Sequence, residues 1–187
     1  MEQKNVCLDQ VMAERRSHRM FQPGFPPKEA IKSIIHAGLL APFAAAAVGN
    51  LNDYFRRFFV MKKDSRSMAA TDPLVMEQVT IMIQGLEHEM EKDPVLRTKA
   101  VSFVRLLTGM KRTGSIPGIG TAPYYIVVAE RKVFPPVEQQ SLAHCLENMW
   151  LKATALGLGF QMVSVTSLMS SDPAFCTILG IQQGTGN

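Results

Sequence analysis

Apolar residues recur along this chain with two periods, and the points where the period changes predict its elements. A short helix is expected over Val6 to Glu14, stopping at the basic segment Arg15-Arg16-Ser17-His18-Arg19. Phe21-Gln22-Pro23-Gly24-Phe25-Pro26-Pro27 excludes regular structure, because its prolines lack amide donors and fix φ. Pro27 suits the first position of the next helix. Ile31, Ile34, Ile35 and Leu39 give that helix an apolar stripe at three-to-four spacing, ending near Pro42. Arg57-Phe58-Phe59-Val60-Met61 predicts a buried strand. Asp72-Pro73 is expected to open a long helix carrying Leu74, Val75, Val79, Met82, Ile83, Leu86 and Met90. Asp93-Pro94 interrupts it and starts another, reaching Leu107 or Met110. Gly114 to Gly120 is expected to be a flexible, solvent-accessible loop.

Tyr124-Tyr125-Ile126-Val127-Val128-Ala129 is apolar throughout and predicts a strand buried on both faces. Val137 to Leu156 predicts a helix whose apolar face is Leu142, Leu146, Met149, Trp150 and Ala153, ended by Gly157. A third strand is expected over Phe160 to Val165 and a short helix over Asp172 to Leu179. Strands separated by helices, with helix in excess, make the fold class α+β.

Composition narrows the picture. A length of 187 residues fits one domain, since domains run to about 100–200 residues. With 47% hydrophobic and 19% charged residues the chain can bury a core. No uninterrupted apolar run reaches the roughly 18 residues a membrane span needs. The N-terminus lacks the layout of a secretory signal. Cys7, Cys145 and Cys176 are odd in number and widely spaced, which suits a reducing compartment and gives no metal-ligand pairing. These features predict a single cytoplasmic domain over residues 1–187, with no metal site and no membrane partner.

The familiar chemical signatures are absent. Gly157-Leu158-Gly159 lacks a third glycine at Met162 and follows a helix, the reverse of a dinucleotide fingerprint. Gly109 and Gly114 have phosphate-loop spacing, but Ser115-Ile116 stands where Lys-Ser/Thr is required. There is no G-x-S-x-G elbow and no H-E-x-x-H. The net charge of +4 would serve a nucleic acid or a phosphate-bearing cofactor. Placement decides more than the total. Arg15, Arg16 and Arg19 stand around Ser17, and guanidinium groups bind phosphate bidentately while a hydroxyl donates a further bond. Taken alone, the segment fits a solvated basic turn better.

The rest of the chain changes that balance. Arg15 to Phe21 resembles the R-R-S-x-R-x-F opening of the nitroreductase family, and Pro27 to Leu40 with Ala41-Pro42 resembles its helix leading into A-P-S-A. Gly49-Asn50-Leu51-Asn52-Asp53-Tyr54 is similar to G-N-x-Q-P-W, followed by the strand at Phe58-Phe59-Val60. Ala122 to Val128 resembles A-P-x-x-I-V-V, and Asn148 to Gly159 resembles N-M-x-L-A-A-x-x-L-G-L-G. Leu179-Gly180-Ile181 matches an L-G-I near the end of the family's shared core.

The resemblance implies a nitroreductase-like fold, a mixed central sheet flanked by helices, binding FMN at a homodimer interface. Arg15, Arg16, Ser17 and Arg19 would hold FMN, with Arg19, or else Arg16, at the anionic edge of the ring. Met162, Val163 and Ser164 would face the ring through their backbone. Pro42, Phe43 and Ala44 with Asn50 and Asn52 would approach from the second subunit. Asn148 reads as an amide tying backbone together. Departures are plain: Phe43 stands for a serine, Asn52 for glutamine, Asp53-Tyr54 for Pro-Trp, and Ala45 to Val48 reads as an insertion. The family usually continues into a C-terminal segment that adds a basic residue at the phosphate, and the chain is expected to lack it.

The implied activity is a ping-pong transfer of two electrons from NAD(P)H, through FMN, to a nitroaromatic or quinone-type acceptor. No nucleophile or general base is required. One alternative is a flavin-binding or flavin-processing protein without this turnover. Another is a nucleic-acid module using Arg15, Arg16, Arg19, Arg56 and Arg57. It is disfavoured because no exposed aromatics interleave with the charges. A non-catalytic interaction protein is the last.

Overall fold

A computed structural model of the chain describes residues 2–43, 55–132 and 136–181. Its helices are α1 (Glu2–Glu14), α2 (Lys28–Leu39), α3 (Arg66–Lys92), α4 (Pro94–Thr113), α5 (Glu138–Ala155) and α6 (Pro173–Leu179). Its strands are β1 (Arg56–Lys62) and β2 (Tyr124–Glu130), which pair as a two-stranded sheet. An isolated parallel bridge joins Ser17 to Phe160. The chain divides into two compact units. Met1–Val60 with Ile126–Met162 form one, and Met61–Tyr125 with Val163–Asn187 form the other.

In the first unit α2 packs on α5 and α1 lies against α5. Its core is Ile34, Ala41, Cys145, Met149 and Ala153, with Phe58, Ile126, Val128, Leu146, Leu158 and Phe160 packed around it. Gly38 lets the two helices approach closely. A methyl group there would stand 2.9 Å from Met149 Cγ and 3.0 Å from Cys145 Sγ. The Arg131 N–H donates to Phe55 O at 2.9 Å, which makes these two residues a hydrogen-bonded antiparallel pair. That register sets Arg56 opposite Glu130 and Phe58 opposite Val128. The side chains of these non-hydrogen-bonded pairs come closest. Asn148 does tie backbone together, donating from Nδ2 to Ala37 O at 3.2 Å.

In the second unit α3 packs on α4, on α6 and on a short 3-10 turn at Val165–Met169. Helix α3 begins at Arg66, six positions before the expected start at Asp72: Ser65 caps it, accepting from Met68 N–H at 3.2 Å. Met68, Thr71, Val75, Val79 and Ile83 form one buried stripe across Pro73, so packing overrides the proline's cost. Helix α4 starts as expected, with Asp93 accepting from the amides of Val95 and Leu96. The 114–120 loop is exposed at Gly114 and Ser115 and turns inward beyond them. Ile116 and Ile119 are buried, and Gly118 N–H donates to Thr121 Oγ1 at 2.9 Å.

Two strand expectations are corrected. Every residue of β2 is half-buried, because among the described residues it has one neighbour, β1. Phe160 to Val165 is not a strand. Pairing stops at Phe160, and Val165 enters the 3-10 turn, with Ser167 N–H donating to Ser164 O at 3.0 Å. Pro27 is the cap of α2, and the helix proper starts at Lys28.

Candidate functional site

The basic segment follows α1 directly and is fastened to α5 and to the turn beyond it. His18 N–H donates to Phe160 O at 3.0 Å, within the bridge between Ser17 and Phe160. Gly159 makes room for this, since a Cβ there would stand 3.1 Å from His18 Cβ. Trp150, 7% exposed, donates from Nε1 to Arg16 O at 3.3 Å. Its ring stacks on Phe160 with centroids 5.6 Å apart, and the Arg15 guanidinium lies 4.3 Å from its centroid. Arg15 Nε also pairs with Glu147 at 3.4 Å.

The four predicted binding residues therefore differ in their freedom. Arg15 is committed to Glu147 and Trp150. Arg16 folds back on α1, donating from Nη1 to Ala13 O at 2.6 Å and to Arg15 O at 2.9 Å. A cation there suits the negative end of the helix dipole. Ser17 and Arg19 are exposed, and neither side chain has a polar partner among the described residues.

Of the other predicted residues, Pro42 is exposed and Phe43 is half-buried. The Phe43 ring stacks on Phe55, centroids 3.9 Å apart and planes 16° apart. Ala44, Asn50 and Asn52, with the 45–48 insertion, lie outside the described residues. Met162, which ends the first unit, is exposed. Val163 is half-buried and Ser164 exposed, at the start of the last segment of the second unit.

Sequence reasoning missed a buried polar network in the first unit. Arg56 is 3% exposed. It pairs through Nε with Glu130, and donates from Nη1 to Gly38 O at 2.6 Å and Ala41 O at 3.3 Å, and from Nη2 to Ser141 Oγ at 2.9 Å. Ser141 in turn donates to Glu130 Oε1 at 2.9 Å. Glu130 Oε2 is buried without a partner among the described residues. The signal was present: each strand carries a charged residue at one end of an apolar run, Arg56 before Phe58 and Glu130 after Ala129. Beside this network, burial pushes the Cys145 thiol from 9.0 to about 11, with Arg56 lowering it and Glu130 raising it. Such a thiol is not a nucleophile near neutral pH.

Several chemistries find no support. Arg56 is withdrawn from any phosphate-binding face, which weakens the nucleic-acid reading. No group of three or more His, Cys, Asp or Glu able to hold a metal occurs among the described residues. No described helix is long and apolar enough to cross a membrane. A cavity of about 290 Å³ between α3 and α4, lined by Met90, Val104 and Arg105 among others, contains none of the predicted residues.

Comparison with known proteins gives the class. The profile of the nitroreductase family matches residues 12–186, so the chain belongs to the nitroreductase family. No curated protein sequence matches it. Among solved structures, an FMN-bound nitroreductase from Desulfitobacterium hafniense DCB-2 superposes with a TM-score of 0.64 at 23% identity, covering 95% of this chain and 82% of its own. The FMN- and NADPH-dependent nitroreductase NfnB from Sphigopyxis sp. strain HMH gives 0.62 at 16% identity, covering 94% and 82%. Oxidised iodotyrosine deiodinase bound to FMN and 3-iodo-L-tyrosine gives 0.57 at 16% identity, covering 89% and 83%. At these identities the likeness speaks for the fold, and the α+β, nitroreductase-like expectation holds.

Proposed function

We propose that this protein is an FMN-dependent oxidoreductase that moves two electrons from NAD(P)H to a small electron-poor acceptor of nitroaromatic or quinone type, in two half-reactions. The observation that carries the reading is the state of Ser17 and Arg19. They are exposed and without polar partners among the described residues, on a segment where Arg15, Arg16 and the His18 amide are held. Extended pairing at Ser17 sends Ser17 and Arg19 to the side opposite His18, which packs on Gly159. A hydroxyl and a guanidinium left open in this way fit an anionic, phosphate-bearing cofactor.

When bound, FMN supplies the hydride and electron transfer chemistry. The protein's part is to hold and orient. Ser17 would donate a hydrogen bond, Arg19 would hold negative charge, and Met162, exposed two residues beyond Phe160, would offer its backbone. Each turnover oxidises one NAD(P)H and reduces the acceptor by two electrons. No side chain acts as nucleophile, in keeping with the inert Cys145 thiol. We take the protein to be a cytoplasmic homodimer, as the family's two-site arrangement implies. The absence of disulfides among Cys7, Cys145 and Cys176 fits a reducing compartment.

The test is spectroscopic. The purified protein should acquire a flavin absorption band on addition of FMN, and anaerobic mixing with NADPH or NADH should bleach it. A protein that takes up no FMN would sink the reading. A loaded protein that neither nucleotide bleaches would leave a flavin-binding protein without this turnover.

A further inference from the structure

We propose that Trp150 is the positioning residue of the Arg15–Arg19 segment, and that Arg15 is its strut and not a cofactor ligand. This rests on the FMN reading above and divides the labour among residues that the resemblance treats alike. Three independent contacts converge on one indole. Its N–H holds the Arg16 carbonyl at 3.3 Å. One face meets the Arg15 guanidinium at 4.3 Å. The ring also stacks at 5.6 Å on Phe160, the residue bridged to Ser17.

The geometry explains why the strut is an arginine. Its planar cation stacks on the ring while Nε stays in the guanidinium plane to meet Glu147 at 3.4 Å. Glu147 and Trp150 stand three residues apart on α5, so they lie on one side of the helix and form one seat. An arginine so engaged would have to give up both contacts to reach a phosphate. Among the described residues Arg19 has no such contacts to give up.

The clamp acts on backbone and is therefore readable without any flavin. In the apo-protein, Arg15→Gln and Trp150→Phe should each speed hydrogen exchange at the His18 amide about tenfold, through loss of a stacked cation or of the indole N–H. Both variants should weaken FMN by a similar factor, because each misplaces the one segment that carries Ser17 and Arg19. The double variant should be no more than about twofold worse than the poorer single one, as members of one unit are not additive. Arg15→Gln changes a partly exposed side chain, so it reports even if Trp150→Phe folds poorly. Unchanged His18 exchange in Arg15→Gln would overturn the proposal. So would a loss of FMN affinity in Arg15→Gln that Trp150→Phe does not share, which would make Arg15 a cofactor ligand in its own right. If the wild-type protein bound no FMN, the oxidoreductase reading would fail, while the exchange measurement would still decide the clamp.

Discussion

Arginine serves opposite ends in this chain, and burial decides which. Arg19 is exposed and open to a ligand, whereas Arg56 is 3% exposed and internal to the first unit. Arg56 gathers Gly38 O and Ala41 O, at the end of α2, against Glu130 and Ser141. It thereby fixes where the chain leaves α2 toward Pro42 and Phe43. Its desolvation is offset only while every partner is present. Arg56→Met should therefore cost about 3–5 kcal/mol of stability, since it leaves the Glu130 carboxylate buried and unpaired. The pair Arg56→Met with Glu130→Gln should lose less than the sum of the two single changes. Urea unfolding of the three variants checks this, and strict additivity would dissolve the network. The neighbour of Arg56, Arg57, is exposed although the two side chains are alike. The difference is the strand's period of two, which turns Arg56 inward with Phe58.

Helices were more legible than strands, for a physical reason. Asp93 and Asp172 cap α4 and α6 with their own side chains, and Gly114, Gly157 and Gly180 adopt positive φ just beyond α4, α5 and α6. These signals are local. A strand depends on its partner, so the apolar run from Phe160 to Val165 gave no warning that only Phe160 would find one. The buried face of α5 was half legible. Met149, Trp150 and Ala153 are buried as expected, but Ser141 and Cys145 take the places assigned to Leu142 and Leu146. Gly38 of α2 brings the helices close at Cys145 and Met149, and Ser141 turns inward to the Arg56–Glu130 pair. Gly38→Ala should gain about 1 kcal/mol of helix propensity yet lose more to overpacking, roughly 1–3 kcal/mol. A net fall in stability is expected because Met149 is fully buried and cannot swing aside. A thermal melt showing Gly38→Ala as stable as the wild type would mean that α2 and α5 tolerate a wider spacing.

At the scale of the whole chain, no single fragment of the sequence identified the family, but the order of the fragments did. That order put the basic segment and the Gly-Leu-Gly turn in one candidate site, and the structure bridges Ser17 to Phe160 just beyond the turn. The partners of Arg15 were not legible, because Trp150 and Glu147 lie more than a hundred positions away along the chain. Each unit also buries a group whose ionised form burial disfavours. In the first it is Cys145, raised from 9.0 to about 11. In the second it is Tyr125, raised by burial although its hydrogen bond with Thr166 lowers it somewhat. For Cys145 the sign follows directly. Below the unfolded value both states hold the proton, so no pH dependence arises. Between 9.0 and about 11 the unfolded chain releases it while the folded chain keeps it, so stability falls as pH rises. The loss should reach at most about 1.4 kcal/mol per pH unit. Urea unfolding from about pH 8 to about pH 10 should show a steeper alkaline decline in the wild type than in Cys145→Ala. Equal slopes in the two proteins would mean that the thiol ionises in the folded state as readily as in the unfolded one, and that the α2–α5 core admits water.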